Sequence, residues 1–201
     1  MDAPKNFIPE PFEYHQELDL SVESLTNLGV GVARVDGWVI MVPFALPGEK
    51  VRARVFRNRP NFSEADLLEV IDPSPDRIDP LCPLFGTCGG CQYQQLSYPA
   101  QLEWKQTQVR EVFERIGGIN HEILPPIGSP KQYGYRSKIT PHYQRWQEGG
   151  DFPIGFLRVA QRQRIVDVPH CPIATPAINE ALPEVRNRVR STPPKGTKKK
   201  G

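Results

Sequence analysis

Four cysteines constrain this chain more than any other feature. Cys82, Cys88 and Cys91 are spaced C-x5-C-x2-C, and Cys171 follows after 79 intervening residues. Three thiols within ten residues, with Gly89 and Gly90 between the last two, is not how independent core cysteines distribute. A metal needs several thiolates converging on one site, and a C-x2-C turn brings two of them together. Glycines in that turn let the backbone wrap closely and aim N–H groups at sulfur. Pro83 and Pro172 each follow a cysteine and stiffen its loop. Four thiolates suit tetrahedral zinc or one 4Fe–4S cluster, and the spacing leaves both open. If all four bind one cubane, every iron is capped by protein and the cluster is structural. The remote ligand closes a long loop, a constraint worth about 4 kcal/mol.

Disulfides are the competing use of such thiols. Residues 1–17 carry Pro4, Pro9 and Pro11 and no apolar core stretch, so they do not read as a signal peptide. The longest apolar run, Trp38 to Pro47, is far below the roughly 18 residues that cross a bilayer. The reading is therefore a cytoplasmic protein with reduced thiols and no membrane partner. Composition fits a folded chain, with 38% hydrophobic and 24% charged residues in 201. The 22 prolines are about twice the average usage, which favours turns and short elements. Net charge is only +2, but arginines cluster at 52, 54, 57 and 59, and again at 158, 162 and 164.

The expected fold class is mixed β and α+β. Residues 1–14 read as a disordered tail. Residues 15–72 read as a small five-stranded OB-like barrel. Leu18, Leu20 and Val22 alternate with polar residues, and Asp36-Gly37 between two apolar runs is a strong hairpin signal. Val51, Ala53 and Val55 alternate with Arg52, Arg54 and Phe56, so one face turns inward and the other outward. Arg52, Arg54 and Arg57, with Phe56 as a stacking ring, are candidate RNA contacts, because guanidinium groups meet phosphates and rings meet bases. Their competing reading is a solvated face. Removing Arg52 or Arg54 is expected to lower the salt slope of RNA binding by about 1 each.

Residues 73–190 read as an α+β cluster-binding domain behind a proline-punctuated connector. Ser97 is expected to cap a helix opening at Pro99 and ending at Gly117-Gly118, with an apolar stripe of Leu102, Val109, Val112, Phe113 and Ile116. Strands are expected over 134–143, 154–159 and 164–168, with a turn at Gly149-Gly150, and a last helix from Thr175-Pro176. Asp167 reads as a turn or hydrogen-bonding residue. Residues 191–201 read as a disordered lysine-rich tail.

The stretch from Cys82 through Cys88-Gly-Gly-Cys91 to Gln94, with Tyr98 and Lys105 beyond it, resembles the cluster loop of the RNA uracil-5-methyltransferases. The barrel resembles their N-terminal TRAM domain. Tyr135-Arg136-Ser137-Lys138 resembles a strand motif of the family, and Asp167 to Pro172 resembles the segment bearing the fourth cluster ligand. The resemblance implies that the four cysteines hold a 4Fe–4S cluster and that Arg136 and Lys138 meet RNA. It implies rRNA or tRNA as partner, rather than DNA, and a monomer. In the family, S-adenosylmethionine supplies the methyl group and a further cysteine attacks a flipped-out uracil. All four cysteines here are taken as ligands, and no glycine-rich cofactor loop is visible, so no catalytic residue is assigned. The expectation is an N-terminal portion, inactive alone, with the Rossmann-like catalytic domain absent and S-adenosylmethionine bound only by the full-length enzyme. The alternative is a non-enzymatic RNA-binding protein with a structural zinc site made of the four cysteines. A radical-type methylthiotransferase would need C-x3-C-x2-C and an open iron, and the x5 gap and the fourth cysteine oppose it.

Overall fold

The structure, a computed structural model, describes residues 3–143 and 152–191. The chain forms two compact units. One comprises residues 1–79 and 92–128, and the other residues 80–91 and 129–201. The chain therefore leaves the first unit at the cysteine loop and returns to it, a path that the single boundary expected at 72/73 does not describe.

The first unit carries a closed five-stranded barrel, β1 (Glu17–Leu25), β2 (Val30–Val35), β3 (Trp38–Pro43), β4 (Lys50–Asn58) and β5 (Phe62–Asp72). Neighbours run β1-β2-β3-β5-β4, and β4 pairs with β1 to close the ring. The β2–β3 hairpin turns at Asp36 and Gly37, both at positive φ (49° and 82°), as a tight turn between Val35 and Trp38 requires. Closure leaves no open edge. Ile40, Val42, Val51, Ala53 and Val55 are fully buried inside. Alternation along β4 puts Arg52, Arg54 and Phe56 on the other, half-buried face.

The N-terminal segment differs from the expected loose tail. Phe12 is buried in the barrel core. Buried Asn58 donates from Nδ2 to the carbonyls of Ile8 (2.8 Å) and Phe12 (2.7 Å) and accepts from the Ser63 hydroxyl. A buried amide that finds such partners stabilises the segment that supplies them. The loop before β4 is held by buried Glu49. It accepts from the N–H groups of Leu46 (2.8 Å) and Ser74 (3.3 Å) and from the Arg77 guanidinium.

Helix α1 (Tyr98–Arg115) begins at the expected proline. Ser97 does not cap it through its side chain; the hydroxyl bonds instead to Asp76 (3.2 Å). The expected apolar stripe faces outward at its C-terminal half: Val109, Val112, Phe113 and Ile116 are 38–82% exposed.

The second unit has a three-stranded sheet, β6 (His142–Tyr143), β7 (Ile154–Arg158) and β8 (Gln161–Asp167), and helix α2 (Pro176–Ser191). The strand expected over 134–143 is reduced to its last two residues. Pro141 has no N–H to give a ladder, and the chain at 134–136 pairs elsewhere: Gly134 and Arg136 donate to the carbonyls of Pro172 and Ile173. The turn expected at Gly149-Gly150 and the tail from Thr192 lie outside the described residues. No helix among the described residues is long and apolar enough to cross a membrane.

Candidate functional site

All four cysteines lie in the second unit. Local backbone bonding explains how residues so distant in sequence come near one another. The loop from Cys82 turns on itself, with Phe85 N–H bonded to the Cys82 carbonyl and Cys88 N–H to that of Leu84 (2.8 Å). It then pairs with the end of β7. Gly89 N–H donates to the Leu157 carbonyl, and Val159 N–H donates to that of Thr87, both at 2.9 Å. A side chain at Gly89 would bring its Cβ to 3.0 Å from the Leu157 oxygen, a tight contact that glycine avoids. Strand β7 pairs with β8, and the chain leaving β8 reaches Cys171 four residues after Asp167. Tertiary pairing of loop, β7 and β8 thus brings Cys171 into the cluster against which Cys88 and Cys91 pack.

Cys171 is buried in an apolar cluster with Val166, Val168, Ile173 and Ala174, and Cys88 and Cys91 pack against that cluster. Burial pushes the Cys88 thiol up; the Gly90 N–H bonded to it opposes this, while the charges of Cys82 and Cys171 add to it. Gly90 would place a Cβ 3.4 Å from the Cys88 sulfur. The turn is therefore a cradle whose N–H meets sulfur. No disulfide links the four.

Among the described residues, no group of three or more His, Cys, Asp or Glu side chains is placed to hold a single metal ion. A four-iron cluster makes a different demand, one thiolate to each iron, so its ligands share a neighbourhood without sharing a point. Four cysteines in one unit, an apolar lining and an N–H on sulfur fit that group.

The Cys171 segment is held on both sides. Asn179 of α2 accepts the Cys171 N–H (2.9 Å) and donates to the carbonyls of Cys171 (3.0 Å) and Ala174 (3.3 Å). Ahead of it, Asp167 accepts the Ile154 N–H (2.8 Å) and a two-pronged bond from buried Arg186 (2.8 and 2.6 Å). Arg186 also donates to the carbonyls of Ile154 and Val168. Burial alone would raise the Asp167 carboxyl. Bonds from Arg186 and Ile154 and the nearby Arg186 and Arg190 charges outweigh it and hold the group below its ordinary value. Neither Asn179 nor Arg186 was legible as part of the site, since nothing near them in sequence marks them.

The candidate RNA-contacting residues divide into two groups. In the barrel, Arg52 pairs with Asp19 (2.9 Å), Arg54 with Asp66 (3.4 Å) and Arg57 with Glu64 (3.5 Å). These are cross-strand pairs of β4 with β1 and β5. The Arg52 guanidinium holds the Asp19 carboxyl below its usual range, chiefly by their hydrogen bond. Phe56 sits where the β4–β5 register shifts, between Val55 and Arg57, half-buried. In the second unit, Arg136 and Lys138 are exposed, and among the described residues no salt bridge engages them. The backbone of Arg136 is bonded to Ile173 (2.8 Å) and Thr175 (3.1 Å), which fixes it alongside the Cys171 segment.

Comparison with known proteins places these features in a wider set. The TRAM domain family matches residues 12–68. A tRNA (uracil(54)-C(5))-methyltransferase of Schizosaccharomyces pombe is 43% identical over 90% of this chain and 36% of its own length. A 23S rRNA (uracil(1939)-C(5))-methyltransferase of Alkalilimnicola ehrlichii is 36% identical over 88% of this chain and 38% of its own. The chain thus spans well under half the length of these curated relatives. Among solved structures, the Pyrococcus abyssi tRNA (uracil-54, C5)-methyltransferase in complex with S-adenosyl-L-homocysteine is similar, with a TM-score of 0.57 and 27% identity. The match covers 86% of this chain and 37% of that one.

Proposed function

Since this chain carries a TRAM domain and is homologous to the RNA uracil-5-methyltransferases, we propose that it is the RNA-binding and 4Fe–4S-binding portion of such an enzyme. The reaction would be S-adenosylmethionine-dependent 5-methyluridine formation in rRNA or tRNA. The observation that carries this reading is the gathering of Cys82, Cys88, Cys91 and Cys171 in one unit, within a span that matches these enzymes along 88–90% of the chain.

Cys82, Cys88, Cys91 and Cys171 would hold the cluster, which when bound ties the ends of a long loop together and leaves no iron open to substrate. The chain's own work is then binding. Arg136 and Lys138 offer exposed positive charge on a segment whose backbone is anchored beside Cys171, and phosphate oxygens are the matching acceptors. The barrel arginines contribute less than an unpaired cation would, because each must release a carboxylate before it meets phosphate. All four cysteines being assigned as ligands, the attacking cysteine and the S-adenosylmethionine site belong to the rest of the enzyme. The cofactor itself is supported by the Pyrococcus abyssi relative, solved with S-adenosyl-L-homocysteine.

Anaerobic purification with iron, sulfide and zinc analysis tests the metal. Four irons and broad visible absorption are expected; one zinc and a colourless protein would overturn the cluster. RNA affinity against salt tests the interface. Arg136→Ala and Lys138→Ala are each expected to lower the salt slope by about 1, and Arg52→Ala or Arg54→Ala by less. Unchanged slopes for Arg136→Ala and Lys138→Ala would remove those residues from the interface.

A further inference from the structure

Cys171 differs from the other three cysteines in how its backbone is held. The near cysteines sit on a loop that bonds to itself and to β7. Cys171 begins a tight turn in which Ala174 N–H donates to the Cys171 carbonyl (3.0 Å), with Pro172 at the second position where its fixed φ suits a turn. This turn is clasped by one side chain from the first turn of α2. Asn179 takes the Cys171 N–H at Oδ1 and gives its two Nδ2 hydrogens to the Cys171 and Ala174 carbonyls.

Only an amide on a short stem does this. Asp and Ser can accept the N–H, but Asp has no hydrogen for the carbonyls and Ser has only one. Gln adds a methylene and shifts the amide by more than a hydrogen bond tolerates. The three partners also fix which end of the amide faces which group, since an N–H can meet only oxygen and carbonyls only the NH2. Cys171 and Ala174 are buried, so without Asn179 their groups lose partners in a place that water reaches poorly.

We infer that Asn179 is the positioning residue for the fourth cluster ligand: it sets where the Cys171 sulfur stands relative to Cys82, Cys88 and Cys91. The inference rests on the cluster reading above. Asn179 touches no sulfur; it acts through the backbone on either side of Cys171. Residues that orient a ligand in this way usually contribute about 10–100-fold to metal retention.

The test uses the 201-residue chain loaded anaerobically, with Asn179→Ala and Asn179→Asp beside the unaltered protein. Iron content, visible and EPR spectra, and the rate of cluster loss to a chelator are read, with far-UV circular dichroism as the check of folding. The alanine variant is expected to fold and to lose its cluster about 10–100-fold faster. The aspartate variant, which keeps the acceptor for the Cys171 N–H, is expected to fall between. If the alanine variant matches the unaltered protein in spectrum and loss rate, the inference is overturned. If alanine prevents folding, aspartate decides: a loss rate equal to that of the unaltered protein overturns the inference, and a faster one sustains it. An unaltered protein that takes up no iron overturns the cluster reading itself, and the role of Asn179 with it.

Discussion

Replacing Arg186 with methionine probes the joint that holds α2 against the strands leading to Cys171. Arg186 is 5% exposed and its guanidinium makes four bonds. Methionine fills similar space but leaves the Val168 and Ile154 carbonyls without this donor. A buried acceptor left unpaired costs about 1–3 kcal/mol. The Ile154 carbonyl keeps the Val168 N–H (3.0 Å), so its loss lies at the low end. Asp167, with its side chain 43% exposed, rehydrates and adds little. The expected cost is ~2–4 kcal/mol. At about 4–8 °C per kcal/mol for a unit of this size, calorimetry should show a fall of roughly 10–20 °C or more in the melting of the second unit. Asp167→Asn should cost less and should depend on pH in a set direction. The folded carboxyl titrates below its ordinary 3.8, so its contribution is fully present above that value. It is lost as pH falls through the lower folded pKa. The gap between unaltered protein and Asp167→Asn should therefore be widest near neutrality and close in acid. A fall below about 4 °C for Arg186→Met, under ~1 kcal/mol, would refute the view that this arginine joins α2 to β7 and β8.

Other perturbations test other joints. Glu49→Gln should destabilise the barrel by about 1–3 kcal/mol in urea unfolding, because one amide oxygen cannot replace two carboxylate oxygens that serve Leu46, Ser74 and the partly exposed Arg77; a loss below ~1 kcal/mol would show that the pair matters little. Gly89→Val should push the cysteine loop off the Leu157 carbonyl and lower iron content per chain, with the barrel's own melting unchanged. Asn58→Ala should free residues 8–12 from the barrel, read as faster amide exchange in that segment; unchanged exchange would mean that Phe12 alone anchors it.

Much of the barrel could be read before any coordinates. Strict alternation in Val51, Ala53 and Val55 sets which face is buried, and Asp36-Gly37 sets a turn that few other dipeptides allow. These are local rules: side-chain direction alternates along a strand whatever its partner, and positive φ is a property of single residues. The spacing of the cysteines is a local signal of the same kind, and it marks a candidate metal-binding loop. Partners were another matter. The charged face of β4 is a row of arginines in sequence, yet the strands on either side supply a carboxylate for Arg52, Arg54 and Arg57, which no reading of β4 alone contains. Residues 134–143 mix apolar and polar residues as a strand does, but pairing depends on which backbone lies alongside: 134–136 bond to the segment after Cys171, and only His142–Tyr143 pair with β7. The stripe on α1 has helical spacing, and spacing alone does not say what a stripe will face. Asn179 and Arg186 show the same division most clearly. The chain spells out which residues can give three or four hydrogen bonds, but only the packing of α2 beside β8 and the Cys171 turn decides which groups receive them.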